Sequence, residues 1–388
     1  MSEMSYLEKL LDGVEVEWKT LGQTCKIETG KLNANAAVDD GEYMFFTTAK
    51  ETSKIDKFRW DTEALLIAGN ANVGEVKHYI GKFEAYQRTY VLTNFDENVS
   101  VIFLYFVLSH SLKKYLEERT NSAAMTYIVL STLENFPIPI PCPDNPEKSL
   151  AIQSEIVRIL DKFTALTAEL TAELNMRKKQ YNYYRDQLLS LEEDEIEWKA
   201  LDDVCALISA GGDVPENSVK GQVKPTNEYP YPIYANATDE KGLYGYTDSY
   251  KIDSDAVTIS ARGAKVGYHT VRDAKFTPII RLIVLVANKN LVRTRYLNYV
   301  LDMTAIGGTD GGIPQLTVPM VKKITVPIPF ASNPNRSLAE QDRIIAILDK
   351  FEILTNSINE GLPREINLRQ KQYEYYRDLL LSFPKSNV

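Results

Sequence analysis

The side chains best suited to contact chemistry in this chain of 388 residues lie in two stretches. In the second half Arg262, Lys265, His269, Arg272, Lys275 and Arg281 are strung along a glycine-bearing run, a pattern that suits phosphate oxygens and base edges. In the first half Asn70 and Asn72, with Lys77, hold the matching place, because Ala71-Asn-Val-Gly74 parallels Ala264-Lys-Val-Gly267. Arg88 joins this first set. Asn carries the paired donor and acceptor that suit an adenine edge, and Arg the fork that suits guanine. The competing reading is a tight turn whose glycines are structural and whose polar side chains are merely solvated. Gln315 closes a run containing Gly307, Gly308, Gly311 and Gly312, which is either a loop ordered by nucleic acid or a flexible turn before a strand at Leu316. His78 suits a donor role or a surface one, and His110, in an apolar stretch, reads as a core residue.

Chemistry of other kinds finds little support. Gly69 to Gly74 is followed by Glu75, so no phosphate-binding loop is present, and Asn145-Pro146 continues as Glu147-Lys148 rather than as an adenine methyltransferase motif. Cys25, Cys142 and Cys205 give neither a disulfide framework nor metal-ligand spacing, and they read as buried, inert thiols. The N-terminus lacks a basic, apolar leader and no apolar run approaches about 18 residues, which points to a cytoplasmic protein with no membrane span. A net charge of −9 argues against a protein that coats nucleic acid by bulk positive charge. Any such contact must come from local clusters or from partners that carry the positive field.

The elements that position these residues come twice. Pro139-Ile-Pro, Asn145-Pro146 and Ser149-Leu-Ala151 recur as Pro327-Ile-Pro, Asn333-Pro334 and Ser337-Leu-Ala339, and Ile159-Leu-Asp-Lys-Phe163 as Ile347-Leu-Asp-Lys-Phe351 at the same offset. Lys179-Gln-Tyr-Asn-Tyr-Tyr-Arg-Asp186 recurs as Lys371-Gln-Tyr-Glu-Tyr-Tyr-Arg-Asp378, four residues later than that offset requires. Four residues is about one helical turn, and an insertion near Gly361-Leu-Pro-Arg364 predicts a kink or break at Pro363 in the second copy only. Glu15-Val-Glu-Trp18-Lys19 matches Glu195-Ile-Glu-Trp198-Lys199, with both tryptophans read as core anchors. Tyr6 to Leu11 resembles the end of the first long helix, Tyr184 to Leu189.

Each copy is a globular segment followed by a long helix. From Ser149, a candidate N-cap matched by Ser337, apolar residues at Ile152, Ile156, Ile159, Phe163, Leu166, Leu170, Leu174, Tyr181, Tyr184, Leu188 and Leu191 repeat every three or four positions. Ile344, Ile347, Phe351, Leu354, Ile358, Ile366, Tyr373, Tyr376 and Leu380 do the same, so the two helices are expected to pack on each other. Tyr183 and Tyr375 fall outside this seam beside Arg185 and Arg377, a combination suited to a protein partner. The globular segments mix strand-like runs (Tyr43–Thr48, Ala64–Ala68, Ala256–Ser260, Ile279–Val286) with helices at Val101–Leu116 and Arg293–Leu301, an α+β class. They carry net charges of −4 over residues 14–135 and +1 over residues 196–330, so neither is a basic domain.

This doubled order resembles the specificity subunits of type I restriction–modification systems over essentially the whole chain. The resemblance rests on the paired Glu-x-Glu-Trp-Lys starts, the paired Pro-Ile-Pro to Ser-Leu-Ala segments and the paired Tyr-Tyr-Arg-Asp helix ends. It implies a short N-terminal helix (1–13), target recognition domains at 14–138 and 196–326, and helical repeats at 139–195 and 327–388. The two long helices would form an antiparallel coiled coil between two pseudo-symmetric domains, fixing the distance between the halves of a split, asymmetric DNA site. The resemblance further implies a subunit without a catalytic centre, bound to double-stranded DNA, two methyltransferase subunits and restriction subunits. S-adenosylmethionine and ATP with Mg would then bind only in those partners. A rival from the residues alone is a pseudo-symmetric scaffold whose two domains bind proteins, with DNA irrelevant.

Overall fold

The computed structural model describes residues 6–119, 127–190, 195–236, 242–263, 265–304, 306–307, 314–357 and 360–384. The chain forms two compact units that interleave along the sequence, residues 1–171 with 365–388, and residues 172–364. Among the described residues no helix is long and apolar enough to cross a membrane.

The first unit is built on six strands in the order Lys26–Thr29, Thr89–Thr93, Trp60–Ala68, Val76–Ala85, Tyr43–Phe46, Ser53–Ile55. Apolar residues fill both faces of the Ala64–Ala68 half of Trp60–Ala68, as a central strand requires, and the period of two sorts them. Leu65 and Ile67 join the core with Phe103, Leu104 and Leu108 of the helix Val101–Arg119. Ala64 and Leu66 pack on the other side with Phe46, Phe83 and Trp60, whose ring stacks on Phe83 at 5.4 Å.

The second unit holds two four-stranded sheets. One runs Cys205–Ala210, Leu282–Ala287, Ala256–Ser260, His269–Arg272, the other Ser218–Lys220, Leu243–Thr247, Tyr231–Tyr234, Thr277–Pro278. The same alternation recurs. Val257 and Ile259 face Tyr296, Leu297 and Val300 of the helix Thr294–Asp302, while Ala256 joins Phe276 and Ile252 behind the sheet.

The paired sequence motifs are halves of one element. Val16–Thr20 pairs with Pro137–Pro141, setting Trp18 opposite Pro139, and Ile196–Ala200 pairs with Thr325–Pro329, setting Trp198 opposite Pro327. Proline fits such two-stranded ribbons because it lacks only a donor that an edge strand can spare. The tryptophans differ in burial. Trp18 is partly buried and donates from Nε1 to Pro384 O at 3.1 Å, whereas Trp198 is 60% exposed, so the core-anchor reading fails for Trp198.

The long central helix is Pro146–Leu189, its residues to Thr171 counted with the first unit and those from Ala172 with the second. It begins three residues before Ser149, and the caps are the asparagines. Asn145 Oδ1 accepts from Lys148 N at 3.0 Å, and Asn333 Oδ1 from Arg336 N at 3.2 Å. Ser149 and Ser337 instead lie buried in the first turns. In the second copy the helix Pro334–Asn356 ends and a new one, Gly361–Leu380, begins, so the break precedes Pro363, which a first turn tolerates. Ring packing follows the seam within each unit. Phe163 stacks on Tyr376 at 5.2 Å in the first, and Phe351 on Tyr184 at 5.6 Å in the second. Leu191 and Ile358 lie outside the described residues.

Candidate nucleic-acid interface

In both units two antiparallel neighbours, Trp60–Ala68 with Val76–Ala85 and Ala256–Ser260 with His269–Arg272, are joined by a loop that closes in the same way. In the first, Gly74 N donates to Ala68 O (3.0 Å), Ala68 N to Glu75 O (2.9 Å) and Glu75 N to Asn72 O (3.0 Å). In the second, Gly267 N donates to Ser260 O (3.0 Å), Ser260 N to Tyr268 O (2.8 Å) and Tyr268 N to Lys265 O (3.0 Å). Gly74 and Gly267 have φ of +79° and +86°, a region that strains any side chain, so these glycines are structural.

Two further segments converge on each loop. Ile128 N donates to Gly69 O and Leu316 N to Ala261 O, both at 2.8 Å, which sets Tyr127 beside Asn70 and Gln315 beside Arg262. Gly69 N donates to Arg88 O at 2.9 Å, and Ala261 N to Arg281 O at 3.3 Å. Each unit therefore gathers three chain segments at one sheet end: Asn70–Asn72, Arg88 and Tyr127 in the first, and Arg262 with Lys265, Arg281 and Gln315 in the second. Of the glycine-rich run before Gln315, residues 308–313 lie outside the described residues.

The side chains divide into free and committed ones. Arg88, Lys265 and Arg281 are exposed, and among the described residues their charged ends have no ion pair or hydrogen bond, so they are available to a polyanion. Asn72 is spent on Thr48 O (2.7 Å), and Lys77 Nζ on Ala49 O and Lys50 O (2.8 and 2.7 Å). Both hold the loop after Phe46 and support the structural reading for those two positions. Asn70 Oδ1 is buried without a partner among the described residues. Arg262 is half-buried, its backbone gripped by Asn236. That carboxamide accepts from Ala261 N (2.8 Å) and Arg262 N (3.2 Å) and donates to Arg262 O (2.8 Å).

Arg272 is placed otherwise than the surface role expected of it. It is 8% exposed, with its guanidinium 3.9 Å from the centre of the Tyr234 ring and Nε 3.4 Å from Thr258 Oγ1. Its position in a strand, with the side chain turned into the sheet core, explains this. Lys275 is exposed at φ +68°, 5.8 Å from the Tyr250 ring centre. His269 is also mostly buried. Nδ1 lies 2.9 Å from Gly267 O, and Nε2 lies 3.1 Å from Asp302 Oδ1, an ion-pair distance without an aligned hydrogen bond. Burial works against its charge, but Asp302 and the Gly267 carbonyl outweigh it and raise the imidazole above its ordinary pKa. His269 thus ties the loop to the end of the helix Thr294–Asp302 rather than facing outward.

His78 pairs with Glu63 at 2.8 Å, and His110 lies 3.6 Å from Asp378, its pKa lowered by burial and by Arg377. Burial pushes the Cys25 and Cys205 thiols up to about 12, although of the three cysteines expected in the core only Cys25 is buried there, Cys142 and Cys205 being half-buried. On the helices Tyr183 and Tyr375 are 58% and 64% exposed. Arg185 and Arg377 instead bond the next residue, Asp186 (2.8 Å) and Asp378 (2.7 Å). Sequence reasoning missed Asn236, which has no counterpart motif, and Ile280, which it placed inside a strand. It also passed over Gln153 and Gln341, although the repeat aligns them.

A family model described as the type I restriction modification DNA specificity domain matches residues 13–177 and 193–368. The specificity subunit of the Escherichia coli type I restriction enzyme EcoR124I/EcoR124II is 39% identical, covering 99% of this chain and 98% of its own length. That of the E. coli enzyme EcoprrI is 33% identical, covering 93% of each. Among solved structures, the crystal structure of a type I restriction–modification S subunit from M. genitalium aligns with a TM-score of 0.62 at 17% identity, over 97% of this chain and 98% of that one.

Proposed function

The chain belongs to the family of type I restriction–modification specificity subunits, and we propose that it reads a split, asymmetric DNA target with one half assigned to each unit. The observation that carries this reading is the matched pair of loops. One backbone frame, closed by equivalent hydrogen bonds, presents Asn70, Arg88 and Tyr127 in one unit and Arg262, Lys265, Arg281 and Gln315 in the other. A constant frame with different side chains is what two half-sites of different sequence require, because phosphate contacts set position while base-edge contacts specify.

The subunit itself is non-catalytic in this reading. Two methyltransferase subunits dock on it, with Tyr183 and Tyr375 as the exposed aromatic contacts, and restriction subunits complete the assembly. S-adenosylmethionine and ATP with Mg bind in those partners, in the cytoplasm where the DNA lies. Sharing of phosphate contacts among subunits accommodates the net charge of −9.

The test is adenine-methylation mapping, by single-molecule sequencing, of DNA from cells expressing this chain with its neighbouring methyltransferase. A modified motif of two short halves with a fixed spacer is expected. Absence of any motif, with the methyltransferase present and bound to this chain, would favour the protein-scaffold alternative.

A further inference from the structure

The turn that leads into the strand Leu282–Ala287 carries a side chain that neither folding nor solvent calls for. Ile280 has φ +36° and Arg281 φ +58°, a region that β-branched residues above all avoid. The turn is clamped there. Ile279 N donates to Tyr234 O (2.8 Å), Ile280 N to Gly212 O (3.0 Å) and Gly211 N to Leu282 O (2.7 Å). Gly211 allows this approach because a Cβ there would lie 2.8 Å from the Ile279 backbone. Glycine or asparagine would fit the dihedral with less strain, and a polar residue would suit the exposure, yet the position holds isoleucine, 50% exposed between buried Ile279 and exposed Arg281.

Its place is at the candidate interface. Arg281 O accepts from Ala261 N, next to Arg262, which is bridged to Gln315. Arginine and glutamine are the side chains that read guanine and adenine edges in the major groove, and the apolar feature of that same groove is the C5-methyl of thymine. The equivalent turn of the first unit is Gln87-Arg88. Gln87 N donates to Leu32 O at 2.9 Å as Ile280 N does to Gly212 O, and Gln87 is polar with ordinary dihedrals. One frame position thus presents an amide in one unit and an apolar group in the other.

We infer that Ile280 is a specificity-determining residue of the second unit, packing against a thymine C5-methyl in the half-site this unit reads. The inference rests on the DNA-reading function proposed above. It is tested on the complete chain assembled with its methyltransferase, using the target mapped by methylation, with each thymine replaced singly by deoxyuridine, which lacks only the methyl. One substitution is expected to weaken binding by the wild type about fourfold, the worth of one buried methyl group. Ile280→Ala should bind the parent duplex about fourfold more weakly and lose all sensitivity to that substitution. Ile280→Gly should show the same loss with a melting temperature at or above wild type, separating contact from folding. If the complex binds its target specifically but no deoxyuridine matters, or if Ile280→Ala stays equally sensitive, the inference is overturned while the DNA-reading function stands. Failure to distinguish the mapped target from unrelated DNA sinks both.

Discussion

Gln153 and Gln341 make the same three hydrogen bonds in the two units. Gln153 Oε1 accepts from Ser100 N (2.8 Å) while Nε2 donates to Asn98 O (2.9 Å) and Ser149 Oγ (3.1 Å). Gln341 Oε1 accepts from Arg293 N (2.8 Å), and Nε2 donates to Leu291 O (3.0 Å) and Ser337 Oγ (3.1 Å). Both glutamines are fully buried. Each serves the start of the helix inside its unit, Val101–Arg119 or Thr294–Asp302, and locks the beginning of a long helix to it.

Replacing either glutamine with leucine keeps the volume but strands a buried backbone N–H and a carbonyl. A loss of about 2–4 kcal/mol is expected, from roughly 1–3 kcal/mol for each unsatisfied buried group. Urea unfolding of each variant checks this. A change below about 0.5 kcal/mol would show that these bonds merely replace equivalent ones to water.

Arg88 and Arg281 occupy the same frame position, so their loss should act on different halves of the target. Arg88→Ala is expected to relax one half and Arg281→Ala the other, each by roughly 1–3 kcal/mol if the contact is to a base. Methylation mapping with each variant reads this directly. Uniform weakening with no new tolerance at any base would instead assign both side chains to phosphate.

His269 predicts a pH dependence of stability. Its folded pKa is raised above the ordinary 6.5, despite burial, by Asp302 and the Gly267 carbonyl. Other polar groups facing this site are Tyr181, itself raised by burial and Asp302, and Asn298. A raised base stabilises fully below its unfolded pKa, and that contribution fades as pH rises through the folded value. The stability gap between wild type and His269→Gln should therefore narrow on going from about pH 5.5 to 8.5. Denaturation midpoints across that range decide it: a constant gap would mean that folding leaves the imidazole pKa unshifted, and a gap that widens with pH that burial holds the ring neutral.

Much of this was legible from the chain because the repeat is doubly written. The Glu-x-Glu-Trp-Lys and Pro-Ile-Pro motifs recur in order, and the loops at Gly74 and Gly267 were matched by residue type alone, but the pairing that sets Trp18 opposite Pro139 and Trp198 opposite Pro327 came only from the structure. What escaped was set by three-dimensional closure. Ser149 looked like a cap, but the preceding asparagine accepts the first-turn amide and frees the serine for Gln153. Arg272 looked like surface charge, but a strand residue faces one side or the other, and its side is toward Tyr234. Ile279 to Val286 read as one apolar run, whereas Ile280 and Arg281 adopt positive φ and the strand starts at Leu282.

The two frame glycines, Gly30 and Gly211, give the last prediction, because both let one strand end pass directly against the turn that carries an exposed arginine. A Cβ on Gly30 would lie 1.9 Å from Ala85 O and 2.4 Å from Tyr86 O, all backbone, just before Gln87-Arg88. On Gly211 it would meet the Ile279 backbone at 2.8 Å, just before Ile280-Arg281. Backbone cannot swing aside as a flexible side chain can, so Gly30→Ala should cost on the order of 3 kcal/mol or more. Gly211→Ala needs a smaller shift, about 1–3 kcal/mol, taken up by moving the turn. Hydrogen exchange should then show faster opening at residues 85–89 in the first variant and at 279–282 in the second, each confined to its own unit. The milder Gly211→Ala should fold yet lose discrimination in the half-site read by the second unit. If it folds with that discrimination intact, Gly211 sets the strand spacing alone and the placement of Arg281 is fixed from the Ala261 side.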